Sequence, residues 1–217
     1  MMPISIMLVD GLAAVRGGFR ALIEAQPDMK VVREAQGNTD AVAGAKEASP
    51  SVVVTEMRGP SLDGLALAKS LKELNPATAV VILTESQGPF YFFEALRLGC
   101  CGYVPKSAEP ADIVTAIRMA ATGQRYVHPS AATWLVKEFV SRGNGGPNIW
   151  PGKDLTSREL QVVELVGKGL TNRQIAGQLS LSVNTVRHHR AKVMEKVGAH
   201  TTGELLRFAL SEGLASV

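Results

Sequence analysis

Short apolar runs alternate with helical patterns over roughly the first half of the chain, and this alternation constrains the fold more than any other feature. Five runs are typical of strands: ISIMLVD, MKVVREA, SVVVTEM, TAVVILTE and GYVPK. Helical patterns lie between and after them, near residues 14–25, 39–48, 65–74, 90–98 and 110–121. Because successive βα units build a parallel sheet covered on both faces, the sequence predicts a doubly wound α/β domain with five parallel strands.

Polar residues follow four of these predicted strands. They are Asp10, Glu56, Thr84 and Lys106. Ligands and reactive groups in such sheets gather at the carboxyl ends of the strands, so the sequence places these four side chains at one edge. Whether the Glu56 carboxylate reacts, binds a ligand or pairs with a cation stays open at this point.

The last third of the chain carries only helical patterns. TSRE from Thr156, TNRQ from Thr171 and TTGE from Thr201 each fit a capping box, in which a threonine and a side chain three residues on satisfy free backbone N–H groups. A fourth helix begins near Ser182 and stops at Gly198. Three capping boxes in succession predict a compact all-α, four-helix unit.

A helix near residues 130–141 and the segment RGNGGPNIWPGKD connect the two parts. The Gly, Pro and Asn content of this segment is typical of a flexible connection. We therefore predict an α/β domain over residues 1–124, a helix and flexible linker over 125–152, and a helical domain over 153–217.

Composition narrows the function classes. No apolar run reaches the roughly 20 residues of a membrane span, and the N-terminus lacks a signal peptide pattern, so we expect a cytoplasmic protein with no membrane partner. Cys100 and Cys101 are adjacent and lack zinc-ligand spacing, which favours reduced packing residues.

Residues 1–141 hold 13 Lys and Arg against 14 Asp and Glu, whereas residues 142–217 hold 10 against 6. The excess positive charge directs the search for a nucleic-acid partner to the last third.

The segment VNTVRHHRAKVMEKV has two distinct sides when it is drawn as a helix. Apolar side chains share one side: Val186, Val193, Met194 and Val197. The opposite side carries His188, Ala191, Lys192 and Glu195. With Arg187 on the flank, this helix suits the major groove of double-stranded DNA; the plainer alternative is a solvated charged face. The preceding LTNRQIAGQLSLS, a scaffold helix and a short turn, favours the DNA interpretation.

The stretch from LTSRELQVV to ELLRFAL resembles the LuxR-type helix-turn-helix over its whole length, and the N-terminal part is similar to a receiver domain. Together they resemble the NarL/FixJ group of two-component response regulators. The resemblance implies a sequence-specific, homodimeric transcription regulator that is not an enzyme. It also implies that Arg187 and His188 read bases, while Asn184, Thr185 and Lys192 lie on or near phosphates. Arg190 is assigned either to an ion pair within the domain or to the DNA backbone.

The resemblance also assigns roles to the residues at the sheet edge. A working receiver is similar in design to a Mg²⁺-dependent phosphotransferase, with two acids after the first strand and an aspartate nucleophile after the third. Thr84, Lys106 and the aromatic Tyr103 stand where the resemblance requires them, but Gly11 replaces one acid beside Asp10 and Glu56 replaces the nucleophile. Mg²⁺ demands near-octahedral oxygen ligation. We therefore expect no metal and no cofactor, and a receiver that aspartyl phosphorylation does not control.

Several alternatives remain for this edge. Glu56 and Lys106 could pair and hold an active-like state, or the pocket could be inert and kept only for the fold. A conventional regulator would still take phosphate onto Glu56 or another acid. A small ligand or another regulatory protein could instead control the receiver; a flavin is set aside because no GxGxxG loop follows the first strand.

Four consecutive aromatic residues begin the fourth predicted helix: Phe90, Tyr91, Phe92 and Phe93. Four successive helical positions sweep about 300°, so at least one ring should point away from the sheet. Exposed aromatic side chains commonly mark interfaces, and the resemblance implies that this helix belongs to a common dimerisation face. The alternative is a helix end that the linker half buries.

Overall fold

The computed structural model describes residues 2–59, 61–85, 88–143 and 155–215. The chain divides into two compact units. The first holds the residues up to 132 apart from 88–91, and the second holds 88–91 together with the residues from 133 onward. Most of the predicted flexible connection, from residue 144 to residue 154, lies outside the described residues, as does the predicted domain start at Lys153.

The α/β part of the chain alternates strands and helices. Its strands are β1 (Ile4–Val9), β2 (Met29–Ala35), β3 (Val52–Thr55), β4 (Arg58–Gly59), β5 (Leu62–Asp63), β6 (Ala79–Thr84), β7 (Gly102–Pro105) and β8 (Tyr126–Val127). Its helices are α1 (Ala13–Glu24), α2 (Asn38–Ala48), α3 (Gly64–Leu74), α4 (Pro89–Arg97) and α5 (Pro110–Ala121). The main sheet has the order β2-β1-β3-β6-β7-β8 and is parallel throughout. The predicted doubly wound parallel sheet is confirmed, and the structure adds the two-residue edge strand β8.

Both faces of the sheet are buried, as its valine-rich strands predict. On one face, side chains of β1 and β3 such as Ile6 and Val54 belong to the same core as Ile23 of α1 and Ile117 of α5. The alternate position Val53 is equally buried, because successive side chains of a strand point to opposite faces. Helices therefore cover the sheet on both sides, and the strand ends are where polar side chains can meet.

The helical part comprises α6 (Pro129–Gly143), α7 (Ser157–Gly167), α8 (Asn172–Leu179), α9 (Val183–Val197) and α10 (Thr202–Ser211). All three predicted capping boxes are confirmed, with both hydrogen bonds of each box present at Thr156, Thr171 and Thr201. Ser182 caps α9 by accepting a hydrogen bond from the Thr185 backbone. The stop of α9 at Gly198 is confirmed as well, since this residue has a φ of 68°, which favours glycine.

The second unit packs its helices around buried aliphatic side chains. The buried set comprises Val162, Val163, Ile175, Val186, Val193 and Leu205. Helix α7 contacts α8, α9 and α10, and α8 packs on α9. The valine side of α9 thus faces the core, as its sequence pattern predicts. Among the described residues, no helix is long and apolar enough to cross a membrane.

A buried acid joins two helices of this unit. Glu159 completes the first capping box by accepting hydrogen bonds from Thr156, and its Oε2 lies 2.6 Å from Lys196 Nζ on α9. Burial opposes the charge on Glu159, but the hydrogen bonds from Lys196 and Thr156 outweigh it and lower the pKa of this carboxyl. A carboxyl with a lowered pKa stabilises the fold above its unfolded value of about 4.3, and that contribution disappears as the pH falls through the folded value.

Replacing Glu159 by glutamine should therefore destabilise the helical unit at neutral pH by about 1–3 kcal/mol, because a charge-assisted hydrogen bond is lost. The difference from the wild type should shrink between about pH 5 and pH 3. Hydrogen exchange of α7 and α9 amides across this pH range measures both effects. Glu195→Gln, at an exposed acid of α9, is the matched control and should change little; equal effects of the two substitutions would contradict the assignment.

Candidate functional site

Four strand ends converge at one edge of the sheet, as the sequence predicts. The backbone N–H of Glu56 donates to Val9 O at 2.9 Å, and the N–H of Lys106 donates to Thr84 O at 2.8 Å. These bonds extend the parallel ladders one residue beyond the strands. Side chains that are up to 96 residues apart in sequence therefore meet at this edge.

Lys106 lies between two carboxylates. Its Nζ is 2.5 Å from Asp10 Oδ2 and 2.7 Å from Glu56 Oε2. Both acids are buried, and the lysine side chain is only 11% exposed. Burial opposes the charge on Lys106, but the hydrogen bonds to Asp10 and Glu56 outweigh it and raise the pKa of the ammonium group. The three side chains form one ion cluster, called here the Lys106 cluster.

The remaining oxygens of the two acids bind backbone N–H groups. Glu56 Oε1 accepts from Met57 N at 2.5 Å and more weakly from Arg58 N at 3.4 Å. Asp10 Oδ1 accepts from Leu12 N at 2.8 Å. Each carboxylate thus uses one oxygen for Lys106 and the other for its own loop, so both side chains are fixed in place.

Arg16 supports this edge, and the sequence reasoning did not identify it. Its buried guanidinium donates from Nη1 to Asp10 O at 2.7 Å and from Nε to Glu34 at 3.2 Å. Nothing in the spacing of Arg16 signals this role, because its partners lie on β2 and at the end of β1. The contact fixes the backbone from which the Asp10 side chain projects.

Gly11 opens onto a polar cleft. The cleft has a volume of about 440 Å³ and is lined by Gly11, Gln36, Gly37, Asn38, Thr39, Asp40 and Ser61. Beneath Asp10 and Glu56, by contrast, there is a space of only about 10 Å³, which has room for at most one water molecule. The space beside Gly11 is therefore large enough for a small ligand, whereas the space under the acids is not.

The Lys106 cluster is a poor match to Mg²⁺. Octahedral magnesium needs several oxygen ligands at 2.0–2.1 Å, and the edge supplies two carboxylates whose oxygens already bind Lys106 and backbone N–H groups. Within the described parts of the chain, no group of three or more His, Cys, Asp or Glu side chains is placed to hold a metal ion. The donor set and its existing partners both disfavour the ion.

Thr84 and Tyr103 are buried on β6 and β7, two of the strands that end at this edge. The ring of Tyr103 packs edge-on against Phe92 of α4, with 5.5 Å between the ring centroids. This contact links the aromatic position identified from the sequence to the aromatic run of α4.

Most of the aromatic run is buried, whereas a dimer interface needs exposed side chains. Phe90, Tyr91 and Phe92 are each at most 3% exposed, and Phe93 is partly exposed. Phe93 is therefore the ring that turns outward, as the helical sweep requires. The assignment of all four residues to a dimer interface stays a prediction, and only Phe93 offers surface for it.

Helix α9 presents the polar side that its sequence predicts. Asn184, Arg187, His188 and Lys192 are exposed, while Thr185 is partly buried. The Thr185 hydroxyl lies 2.8 Å from the Ser182 hydroxyl at the helix start. Apart from Arg190, the sequence gives five candidate DNA contacts on this helix. Four of them are exposed rather than packed in the core.

Arg190 differs from the other candidates because it binds within the unit. Its guanidinium donates to Asn172 Oδ1 at 2.6 Å and to Thr202 Oγ1 at 3.0 Å. Burial lowers the pKa of Arg190. These contacts are hydrogen bonds to neutral groups rather than the predicted ion pair, and the assignment of Arg190 to the DNA backbone stays a prediction. Arg190 ties α9 to α8 and α10.

Comparisons with known proteins cover both parts of the chain. The profile of the response regulator receiver domain matches residues 6–118, and that of the bacterial regulatory proteins of the luxR family matches residues 153–209. The oxygen regulatory protein NreC of Staphylococcus aureus is 35% identical over 212 residues, which span 96% of this chain and 98% of NreC.

Solved structures are similar over nearly the whole chain. The response regulator ChrA of a heme-sensing two-component system is 27% identical, covers 99% of this chain and 100% of its own, and has a TM-score of 0.55. RcsB from Salmonella enterica serovar Typhimurium, bound to promoter rprA with the phosphomimetic BeF₃⁻, is 25% identical, covers 95% and 98%, and has a TM-score of 0.67.

Replacing Lys106 by methionine should destabilise the α/β unit at pH 7 by about 3–5 kcal/mol, because two buried carboxylates lose their common cation. Urea unfolding at pH 7 measures the difference. The control Lys69→Met removes an exposed pair with Glu73 and should change the free energy of unfolding by under about 1 kcal/mol; similar values for both variants would contradict the cluster.

Proposed function

The chain belongs to the response regulators that join a receiver domain to a LuxR-type DNA-binding domain, and on this premise we propose how it works. It binds duplex DNA as a homodimer and regulates transcription, and its receiver is not switched by aspartyl phosphorylation. The observation that carries the second claim is the bridging position of Lys106 between Asp10 and Glu56. The receiver acts instead through protein contacts or another signal.

The proposed DNA contacts lie on the exposed side of α9. Arg187 and His188 near its N-terminal end suit base edges in the major groove, and Asn184, Thr185 and Lys192 suit phosphates. Arg190 positions the helix through α8 and α10 rather than reading DNA. RcsB, a relative whose solved structure contains promoter DNA, supports the proposal that this chain binds DNA. The excess of basic side chains after residue 141 supplies the electrostatic attraction.

Glu56 is poorly placed to accept a phosphoryl group. In-line phosphoryl transfer depends on positioning and on neutralisation of charge. Lys106 and the backbone N–H of Met57 are donors that would suit phosphoryl oxygens, yet both already bind the Glu56 carboxylate. The extra methylene of glutamate also moves the carboxylate away from the position of an aspartate. The donors of the pocket are thus used by the protein itself.

The same contacts suggest what Glu56 does. It presents a fixed negative charge at the end of β3, held by an ammonium group and by backbone N–H groups. We propose that this charge stands in for a phosphoryl group and holds the receiver in an active-like state. In the alternative, an inert pocket, the Lys106 cluster serves only the fold and has no influence on DNA binding.

A small ligand is the second candidate for control of the receiver. The cleft of about 440 Å³ favours it, because most of the lining residues are polar and one of them, Gly11, directly follows Asp10 in the chain. A thermal shift screen of the full chain against a metabolite panel tests this candidate. We further propose that the protein acts in the cytoplasm, where chromosomal DNA is accessible, and that it regulates transcription without catalysing a reaction of its own.

Restoring the acids should restore phosphorylation. The double variant Gly11→Asp with Glu56→Asp should bind Mg²⁺ and gain the mass of one phosphoryl group from acetyl phosphate, because it regains both a metal ligand and the shorter nucleophile. Glu56→Asp alone should gain little, and the wild type none. Intact mass spectrometry measures the outcome, and robust modification of wild-type Glu56 would overturn the proposal.

Glu56→Ala in the same series separates the stand-in charge from the inert pocket. If the charge holds the active-like state, this variant should stay folded by circular dichroism while losing dimer or DNA affinity. Unchanged affinity would favour the inert pocket.

A preferred duplex is first selected by the wild type from a random-sequence pool. Arg187→Ala should weaken binding to this duplex by about 1–3 kcal/mol, because a bidentate guanine contact is lost. The variant should also prefer the selected sequence less strongly over other sequences. Fluorescence anisotropy on the selected and a scrambled duplex measures both effects. Arg207→Ala, at an exposed arginine of α10, is the control and should retain the preference. Equal weakening of Arg187→Ala on both duplexes would make Arg187 a phosphate anchor only.

A further inference from the structure

Helix α6 carries an exposed apolar stripe. Its members, one helical turn apart in two pairs, are Leu135 (39% exposed), Val136 (61%), Phe139 (80%) and Val140 (52%). The other large apolar side chains that the structure shows exposed are scattered over separate elements: Met2, Leu12, Val32 and Leu74. Contiguous exposed apolar surface of this kind marks an interaction site more often than scattered residues do.

The stripe is a second face of α6, distinct from the face that the chain itself covers. Ala131 and Glu138 are buried and Trp134 is partly buried. Given 100° per residue, these residues lie opposite Val136 and Val140, while Leu135 and Phe139 lie between the two sides. Among the described residues, the chain thus covers one side of the helix and leaves the stripe exposed.

We propose that the α6 stripe packs against the same stripe of a second copy of this chain. A face that pairs with itself across a two-fold axis brings each residue near its own counterpart or its neighbours, so charges within it would repel. The stripe contains none. Among the α6 side chains that the structure describes, Lys137 is the exposed charged one, and it lies about 60° beyond the edge of the stripe.

The choice of a second copy rests on the proposed function, in which two DNA-binding units of one dimer read two half-sites. Helix α6 precedes the DNA-binding residues in the chain, so an interface there joins the two copies next to the parts that must act together. A heterologous partner would supply no such pairing of half-sites.

The size of the stripe sets the strength of the interface. At their exposures, the four side chains present on the order of 400 Å² per copy, or about 800 Å² in the pair, against roughly 1,600 Å² for a standard stable interface. Stripe pairing alone therefore gives a weak dimer. Binding of both copies to one duplex strengthens it, because the second contact becomes intramolecular.

Charge reversal in trans tests the proposal on the full chain. In sedimentation experiments, Val136→Glu with Phe139→Glu, and separately Val136→Lys with Phe139→Lys, should each raise the dimer dissociation constant about tenfold or more. An equimolar mixture of the two variants should return it to within about threefold of the wild type, since opposite charges then meet for either helix direction. The controls Leu74→Glu and Leu74→Lys, at an exposed position of α3, should leave the wild-type value unchanged.

Two results would overturn the proposal. An unchanged dissociation constant in both double variants, with helicity retained by circular dichroism, would show that the copies do not meet at α6. A loss that mixing does not rescue would show that the stripe is covered by another part of the same chain or by a different protein.

Binding of each variant to a duplex with one half-site keeps the two claims apart. A variant that is monomeric yet binds a single half-site like the wild type supports the α6 interface. Failure of the wild type to bind any selected duplex would refute the proposed function, while the sedimentation result would still decide the interface.

Discussion

The receiver half of this protein depends on one lysine that pairs with two buried carboxylates. Asp10, Glu56 and Lys106 each follow a different strand, and the parallel sheet brings the three strand ends together. Removing a partner from such a cluster is costly because a buried charge is left unpaired. The same pairing uses groups that a receiver needs for Mg²⁺ and phosphate, and it is the observation on which we base the proposal that phosphorylation does not switch this receiver.

The DNA-binding half is stabilised differently. Local hydrogen bonds determine where its helices begin, and buried valines orient the helices. Three capping boxes define where α7, α8 and α10 begin, and Val186 and Val193 turn the polar side of α9 outward. Arg190 and the Glu159–Lys196 pair then tie α9 to its neighbours. Helix α9 is thus held in place by contacts within the unit, and Arg187 and His188 are exposed on it.

Local patterns were sufficient to predict the elements, because strand alternation, capping boxes and the glycine at the end of α9 act over a few residues. Long-range choices were not predictable in the same way. Nothing local shows that Lys106 binds Asp10 as well as Glu56, or that Arg16 holds the Asp10 backbone. The burial of Phe90 and Tyr91 and the neutral partners of Arg190 also depend on surfaces distant in sequence. The α6 stripe, finally, is visible as exposed only once the opposite side of the helix is seen to be covered.

The most direct test of the account is the affinity of the wild-type chain for one selected duplex, measured by anisotropy before and after incubation with acetyl phosphate and Mg²⁺. If Glu56 and Lys106 have replaced the phosphate switch, the two dissociation constants should agree within about twofold. A donor-dependent gain of about tenfold or more, accompanied by one phosphoryl group on the receiver, would contradict the account.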